Sequence, residues 1–153
     1  MNIYRIIRNK HLKDDLKGIG ASIAPGRWNK KDIPCIYAAE SRALALVEHM
    51  ANVTNESYTI SSFTIRSLYL PDDCIIKINI DKLPQRWRDR PPPVETRDFG
   101  TNLLQSKKAL AYMLPSTIIP QEFNVIIDPN HSDISKLKIL DEHELEFDHR
   151  LKY

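Results

Sequence analysis

The chain has 153 residues, with 22 Lys and Arg against 20 Asp and Glu, a formal charge of +2, 42% hydrophobic and 27% charged residues. That length fits a single domain, residues 1–153, with a sizeable core, and the charge balance argues against nucleic acid or an anionic membrane surface as a direct partner. No apolar run approaches the ~20 residues of a membrane span, and Arg5, Arg8 and Lys10 interrupt any signal-peptide core at the start.

Ile3 to Ile7 predicts a short strand with Arg5 inside it. His11 to Leu16 reads as a loop or turn, and Gly18 and Gly20 open a loop that carries Arg27. Gly18-Ile19-Gly20 matches no phosphate-loop or dinucleotide fingerprint. Lys30-Lys31-Asp32 turns the chain into a strand over Ile33 to Ala39, which holds Tyr37. Ser41 is the predicted N-cap of a helix over Arg42 to Ala51, with Glu48 at the edge of its apolar face. A loop follows at Asn52 to Ser57. Tyr58 to Ile65 and Cys74 to Ile80 are predicted strands, joined around Leu70-Pro71-Asp72-Asp73 as an antiparallel pair.

Asp81 to Phe99, with Pro84, Pro91, Pro92 and Pro93 among several arginines, reads as a surface excursion. Thr101 to Lys108 reads as helix. Ala109 to Leu114 either extends it or forms a strand, and Pro115 ends the pattern. Asn124 to Ile127 is a further strand, and Leu145 to Leu151 the expected last one. Cys35 and Cys74 have neither metal nor redox spacing, which predicts buried free thiols and a cytoplasmic protein. Five scattered histidines predict no metal site, and no serine stands in a nucleophile elbow.

Arg27, Tyr37 and Glu48 fall within one short loop–strand–helix unit and can converge on one pocket. The same residue types also fit a solvated arginine, a core tyrosine and a surface glutamate.

The ordered set of Arg5, Gly26-Arg27-Trp28-Asn29, Ile36-Tyr37-Ala38-Ala39-Glu40-Ser41, Ala45 to Glu48, Trp87, Gly100, Pro115-Ser116, Glu122-Phe123-Asn124-Val125 and Asp128-Pro129-Asn130-His131 resembles the RES domain family over nearly the whole chain. The resemblance maps the family's arginine, glutamate and serine onto Arg27, Glu48 and Ser116. It implies an α+β fold, one compact domain around a split mixed sheet, similar to the ADP-ribosyltransferase toxins. It also implies a toxin of a bacterial toxin–antitoxin pair, neutralised by an Xre-type antitoxin through which any DNA contact is made. Members of the family destroy cellular NAD by hydrolysis or phosphorolysis, and at least one modifies a protein with ADP-ribose. Two departures stand out: Pro25 replaces the first of two glycines before the arginine, and Asn102-Leu103 replace a tryptophan after Gly100.

On that basis NAD is the expected substrate, with phosphate a candidate co-substrate and no resident cofactor. Arg27 suits the diphosphate, with Arg5 as a weaker second contact. Tyr37 suits nicotinamide or its ribose, and Glu48 the oxocarbenium-like ribose. Ser116 is expected to position ribose or amide, Asn29 and Asn124 to contact NAD, and Glu122, with Asn124, to support the site from behind. Two alternatives remain open: ADP-ribosylation of a specific protein, docked on the Pro91–Pro93 loop, and a catalytically silent antitoxin-binding module.

Overall fold

The structure is a computed structural model that describes residues 1–52, 62–148 and 150–151. Seven strands form one mixed sheet: β1 Asn2–Arg8, β2 Ile36–Ala39, β3 Phe63–Tyr69, β4 Ile75–Lys77, β5 Ala111–Pro115, β6 Phe123–Ile127 and β7 Lys138–Leu145. Their spatial order is β4-β5-β6-β2-β1-β3-β7. Among the described residues three α-helices accompany them: α1 Ile19–Ile23, α2 Arg42–Asn52 and α3 Val94–Gln105. No helix among the described residues is long and apolar enough to cross a membrane.

The sheet is divided at its middle. β1 pairs with β3 over seven registered positions, whereas β1 and β2 share a single registered pair, Tyr4 with Ala39. The α+β class and the split sheet therefore agree with the expectation.

Strand alternation sorts the core of the β2–β6–β5 half onto two faces. Ile36, Ala38, Ala111, Met113, Val125 and Ile127 enter one apolar cluster, while Tyr112, Leu114 and Ile126 enter another with Trp28, Trp87 and Leu104. Burial on both faces explains why 109–114 reads as an unbroken apolar run that periodicity alone does not assign.

Several expectations are corrected. The strand expected at Tyr58 to Ile65 is instead Phe63–Tyr69 in the described residues, and positions 53–61 lie outside them. It does not pair with β4. β3 lies between β1 and β7, and β4 runs parallel to β5. Leu70 N–H donates to the Met1 carbonyl at 2.9 Å, and a 3-10 turn at Asp72–Cys74 then takes the chain away from β3. Local alternation identifies a strand but not its partner.

The tail strand is Lys138–Leu145 rather than Leu145 to Leu151. It is the sheet edge, exposed at seven of its eight positions, so no apolar alternation marks it. The second helix starts at Val94, not Thr101, and ends at Gln105. Pro93 is its N-cap residue, in the extended conformation usual for that position, and makes no side-chain capping bond.

The proline-rich stretch is anchored rather than wholly superficial. Trp87 is buried and stacks on Trp28, with ring centroids 6.2 Å apart and planes 23° from parallel, an arrangement worth about 0.5–1.5 kcal/mol beyond area burial. Gly100 lets α3 approach that layer: a Cβ there would lie 2.2 Å from the Trp28 carbonyl oxygen.

Candidate active site

A cleft of about 610 Å³ opens where β1 and β2 part, within the ~300–1,000 Å³ common for small-molecule sites. β1 contributes Tyr4, Arg5 and Ile6 to it, and β2 contributes Tyr37, Ala38 and Ala39. Helix α2 presents Ala45, Glu48, His49 and Asn52. That i, i+3, i+4, i+7 spacing is one helical face. The sequence places α2 well: Ser41 Oγ accepts the Leu44 N–H at 3.0 Å, a capping bond, and Leu44 is wholly buried.

Glu48 is the best-supported polar group of the cleft. Its Oε1 accepts two hydrogen bonds of 2.6 Å, from Ser116 Oγ and from Asn124 Nδ2. Among the described residues no hydrogen bond occupies Oε2. One oxygen is thus pinned and the other is left for a ligand.

Ser116 is fully buried at the end of β5 and does not line the cleft. Its hydroxyl also accepts the backbone N–H groups of Ile118 at 3.0 Å and Ile119 at 3.1 Å. The expected direct contact of Ser116 with ribose or amide gives way to a different placement. The serine sits behind Glu48 and orients it. Asn124 does line the cleft, on β6, and Glu122 lies farther back, accepting the Ser41 hydroxyl at 3.0 Å.

Arg27 also lines the cleft and is half-buried. Its Nη1 donates to the carbonyl oxygens of Trp87, at 2.5 Å, and Asp89, at 2.9 Å. Burial pulls its pKa below the usual arginine value, the neighbouring Arg90 charge adds to this, and Glu48 partly offsets it. Arginine stays cationic nonetheless.

Tyr37 and Asn29 build the loop that carries Arg27. The Tyr37 hydroxyl donates to Asn29 Oδ1 at 2.8 Å and accepts the Trp28 N–H at 3.0 Å. The Asn29 Oδ1 also accepts the Gly26 N–H, and its Nδ2 donates to the carbonyls of Ala21, Lys30 and Ile33. Asn29 has no exposed surface, so the expected ligand contact of Asn29 is replaced by a bracing role. Gly26 lies against the ring tip: a Cβ there would stand 2.7 Å from the Tyr37 hydroxyl. Burial first, and then the neighbouring Cys35, push the Tyr37 phenol well above its ordinary pKa, so it acts as a neutral hydroxyl.

Arg5 reaches the cleft, but its donors are engaged. Nε donates to Asp15 Oδ1 at 2.6 Å, Nη2 lies 2.6 Å from the same oxygen, and Nη1 donates to the Tyr37 carbonyl at 2.6 Å. It ties β1 to β2 at the split.

Arg90 and Arg97 also line the cleft, together with Pro91 and Pro92. Sequence reasoning passed over both arginines because the proline-rich run signals a surface loop. Cys35 is buried and free, with its thiol pushed up to about 12, chiefly by burial, which makes it inert. Among the described residues no group of His, Cys, Asp or Glu side chains is arranged to hold a metal.

Comparison with known proteins places this arrangement. Toxin Res of Yersinia enterocolitica is 34% identical over 153 residues, covering 99% of this chain and 100% of the relative. A Sphingobium protein named Prs ADP-ribosylating toxin is 32% identical over 128 residues, 82% of this chain and 79% of that one. A crystal structure of the M. tuberculosis MbcT–MbcA toxin–antitoxin complex contains a chain of the same fold, with a TM-score of 0.75 at 17% identity, covering 94% of this chain and 83% of that one. The family described as RES domain matches residues 2–148. With a match of that extent and relatives above 30% identity, the chain belongs to the RES domain family.

Proposed function

We propose that this protein is a toxin enzyme that breaks the nicotinamide–ribose bond of NAD, with water or phosphate as acceptor. The observation that carries the reading is Glu48. It is fixed through Oε1 by Ser116 and Asn124 and lines a cleft that Arg27 lines too.

The chemistry suits a single carboxylate. When the N–C1′ bond breaks, its electron pair passes to the nicotinamide nitrogen, which leaves neutral and needs no acid. Positive charge develops on the ribose, where a preorganised carboxylate stabilises it. Glu48 Oε2 performs that role, either directly against C1′ or through the ribose hydroxyls. A water oxygen then bonds to C1′ and releases a proton, or a phosphate oxygen bonds there to give ADP-ribose 1-phosphate. Arg27 holds the diphosphate. Tyr37, which keeps the Arg27 loop closed, presents its ring to the cleft.

A chain that consumes NAD in its own cell must be restrained. An Xre-type antitoxin covering the cleft mouth is the partner this reading implies, and the toxin–antitoxin complex of the same fold supports it.

The second reading transfers ADP-ribose to a protein. The name of the Sphingobium relative favours it. A nucleophilic side chain of the target would bond to the same carbon, with the same role for Glu48. Incubating purified protein with NAD, with and without phosphate, separates the acceptors. Free ADP-ribose, ADP-ribose 1-phosphate and modified protein are the three distinguishable products. Release of no nicotinamide from NAD under any of these conditions, with lysate protein also present, would overturn the reading.

A further inference from the structure

Three arginines flank one another in the cleft through the backbone. Arg97 Nε donates to the Gly26 carbonyl at 3.4 Å, one residue before Arg27. Arg27 Nη1 in turn donates to the Asp89 carbonyl, one residue before Arg90. The three guanidinium-bearing positions therefore follow one another around a single wall, and all three line the cleft.

Glu48 and Asp89 act on Arg27 through their charge, but no carboxylate bonds to Arg27, Arg90 or Arg97 among the described residues, and the two nearby aspartates also serve other cations. The Asp89 side chain accepts Arg86 Nε at 2.7 Å, and Asp98 pairs with Lys30 at 2.8 Å. Glu48, a carboxylate that also lines the cleft, is held through Oε1 by Ser116 and Asn124. Arg90 itself makes no hydrogen bond or ion pair among the described residues. Like charges held together beside apolar surface are unfavourable until an anion joins them.

We propose that Arg90, on the Pro91–Pro92 loop, is the second cation of a diphosphate clamp with Arg27, braced by Arg97, and that this clamp selects dinucleotides over mononucleotides. This deepens the NAD reading by naming a specificity-determining residue. Two adjacent phosphate groups present charge to two guanidinium groups at once, whereas one phosphate engages them less fully. Burial of Arg27 and the repulsion from Arg90 pull its pKa down more than Glu48, Tyr37 and Asp89 raise it, a balance that fits an anion site complete only when loaded.

The test separates this inference from the enzymatic reading. Calorimetric titration with inorganic pyrophosphate and with orthophosphate needs no turnover. The wild type should bind pyrophosphate more tightly than orthophosphate. Arg90→Gln should weaken pyrophosphate binding about tenfold, the worth of roughly one charge-assisted contact. Arg90→Lys should recover part of that loss, and Lys138→Gln, at the far sheet edge, should match the wild type. The turnover arm compares kcat/KM for NAD and for nicotinamide mononucleotide. Arg90→Gln should raise the KM for NAD and narrow the preference for it.

Pyrophosphate binding unchanged by Arg90→Gln, or absent from the wild type, would overturn the clamp. If the wild type and Arg90→Gln consume NAD alike, the clamp fails while the enzymatic reading stands. If pyrophosphate binding depends on Arg90 but NAD is never cleaved, the clamp stands and the enzymatic reading fails.

Discussion

Arg5 and Arg66 meet Asp15, while Arg27, Arg90 and Arg97 meet the cleft. In the first cluster Asp15 is almost wholly buried, and its two carboxylate oxygens serve the two arginines at 2.6 and 3.1 Å. Arg66 also reaches Glu142 on the edge strand, with Nε donating at 2.6 Å. In the second cluster Arg27 and Arg97 bond to carbonyls of the proline-rich loop and the Trp28-bearing loop, Arg90 makes no hydrogen bond among the described residues, and the nearby aspartates pair with other cations. The same side chain thus does two different jobs. With a buried counter-ion it joins β1, β3 and β7. Without a buried carboxylate bonded to it, it lines a cleft, where the proposed clamp would take an anion.

Removing the buried acid should break the comparison most visibly. Asp15→Ala leaves two guanidinium groups without their shared partner and should cost about 3–5 kcal/mol of stability, read from urea unfolding. A cost below ~1 kcal/mol would put the cluster in the class of exposed ion pairs.

Arg27→Ala should show the opposite pattern. Its stability should fall less than that of Asp15→Ala, by about 1–2 kcal/mol for the lost bonds to the Trp87 and Asp89 carbonyls, while affinity for NAD or pyrophosphate falls at least about tenfold. Equal losses of stability from Arg27→Ala and Arg5→Ala would erase the distinction between the clusters.

Ser116→Ala probes the support of Glu48. Glu48 would keep Asn124 as its partner, and the Ile118 and Ile119 N–H groups would lose their side-chain acceptor. A loss of about 1–2 kcal/mol in stability is expected, with kcat reduced about tenfold and KM little changed. A rise in KM at constant kcat would instead give the serine direct contact with substrate.

The smallest effect concerns His49, which lines the cleft and packs edge-on against Phe63 at 4.7 Å. Burial, and then the Arg8 charge, lower its pKa from 6.5 to about 4. Between those values the unfolded chain takes up a proton that the folded chain refuses. Stability contributed by neutral His49 is therefore present above pH 6.5 and lost as pH falls toward 4. The difference in melting temperature between the wild type and His49→Phe should shift by a few degrees over that range. A constant difference would contradict the assignment.

Much of the Glu48 wall was legible in the sequence. Ser41 as a cap and the apolar arc of α2 gave the helix, and Glu48 at its border followed. The link from Glu48 to Ser116 and Asn124 was not legible from spacing, because they meet across 68 and 76 residues. The family resemblance supplied the serine, and the structure supplied its place behind the carboxylate. Tyr37 and Arg27 were found as candidates, but the role of Asn29 as the hub of their loop depends on three carbonyls that the sequence does not bring together. Arg90 and Arg97 were hidden by their setting. Prolines mark a loop truthfully, yet Trp87 is buried within that stretch and turns the loop into a wall. β3 and β4 show a similar limit: alternation reports a half-buried strand and is silent about its neighbour.

The most direct test of the account is nicotinamide release from NAD by purified wild-type protein and by Glu48→Gln, each checked for an unchanged melting temperature. Glutamine keeps the shape and the acceptor that Ser116 and Asn124 hold, and removes the charge. The account predicts release by the wild type and a loss of about 10²–10³-fold in kcat for the variant. Turnover by Glu48→Gln within a fewfold of the wild type would contradict it, as would a folded wild type that leaves NAD intact.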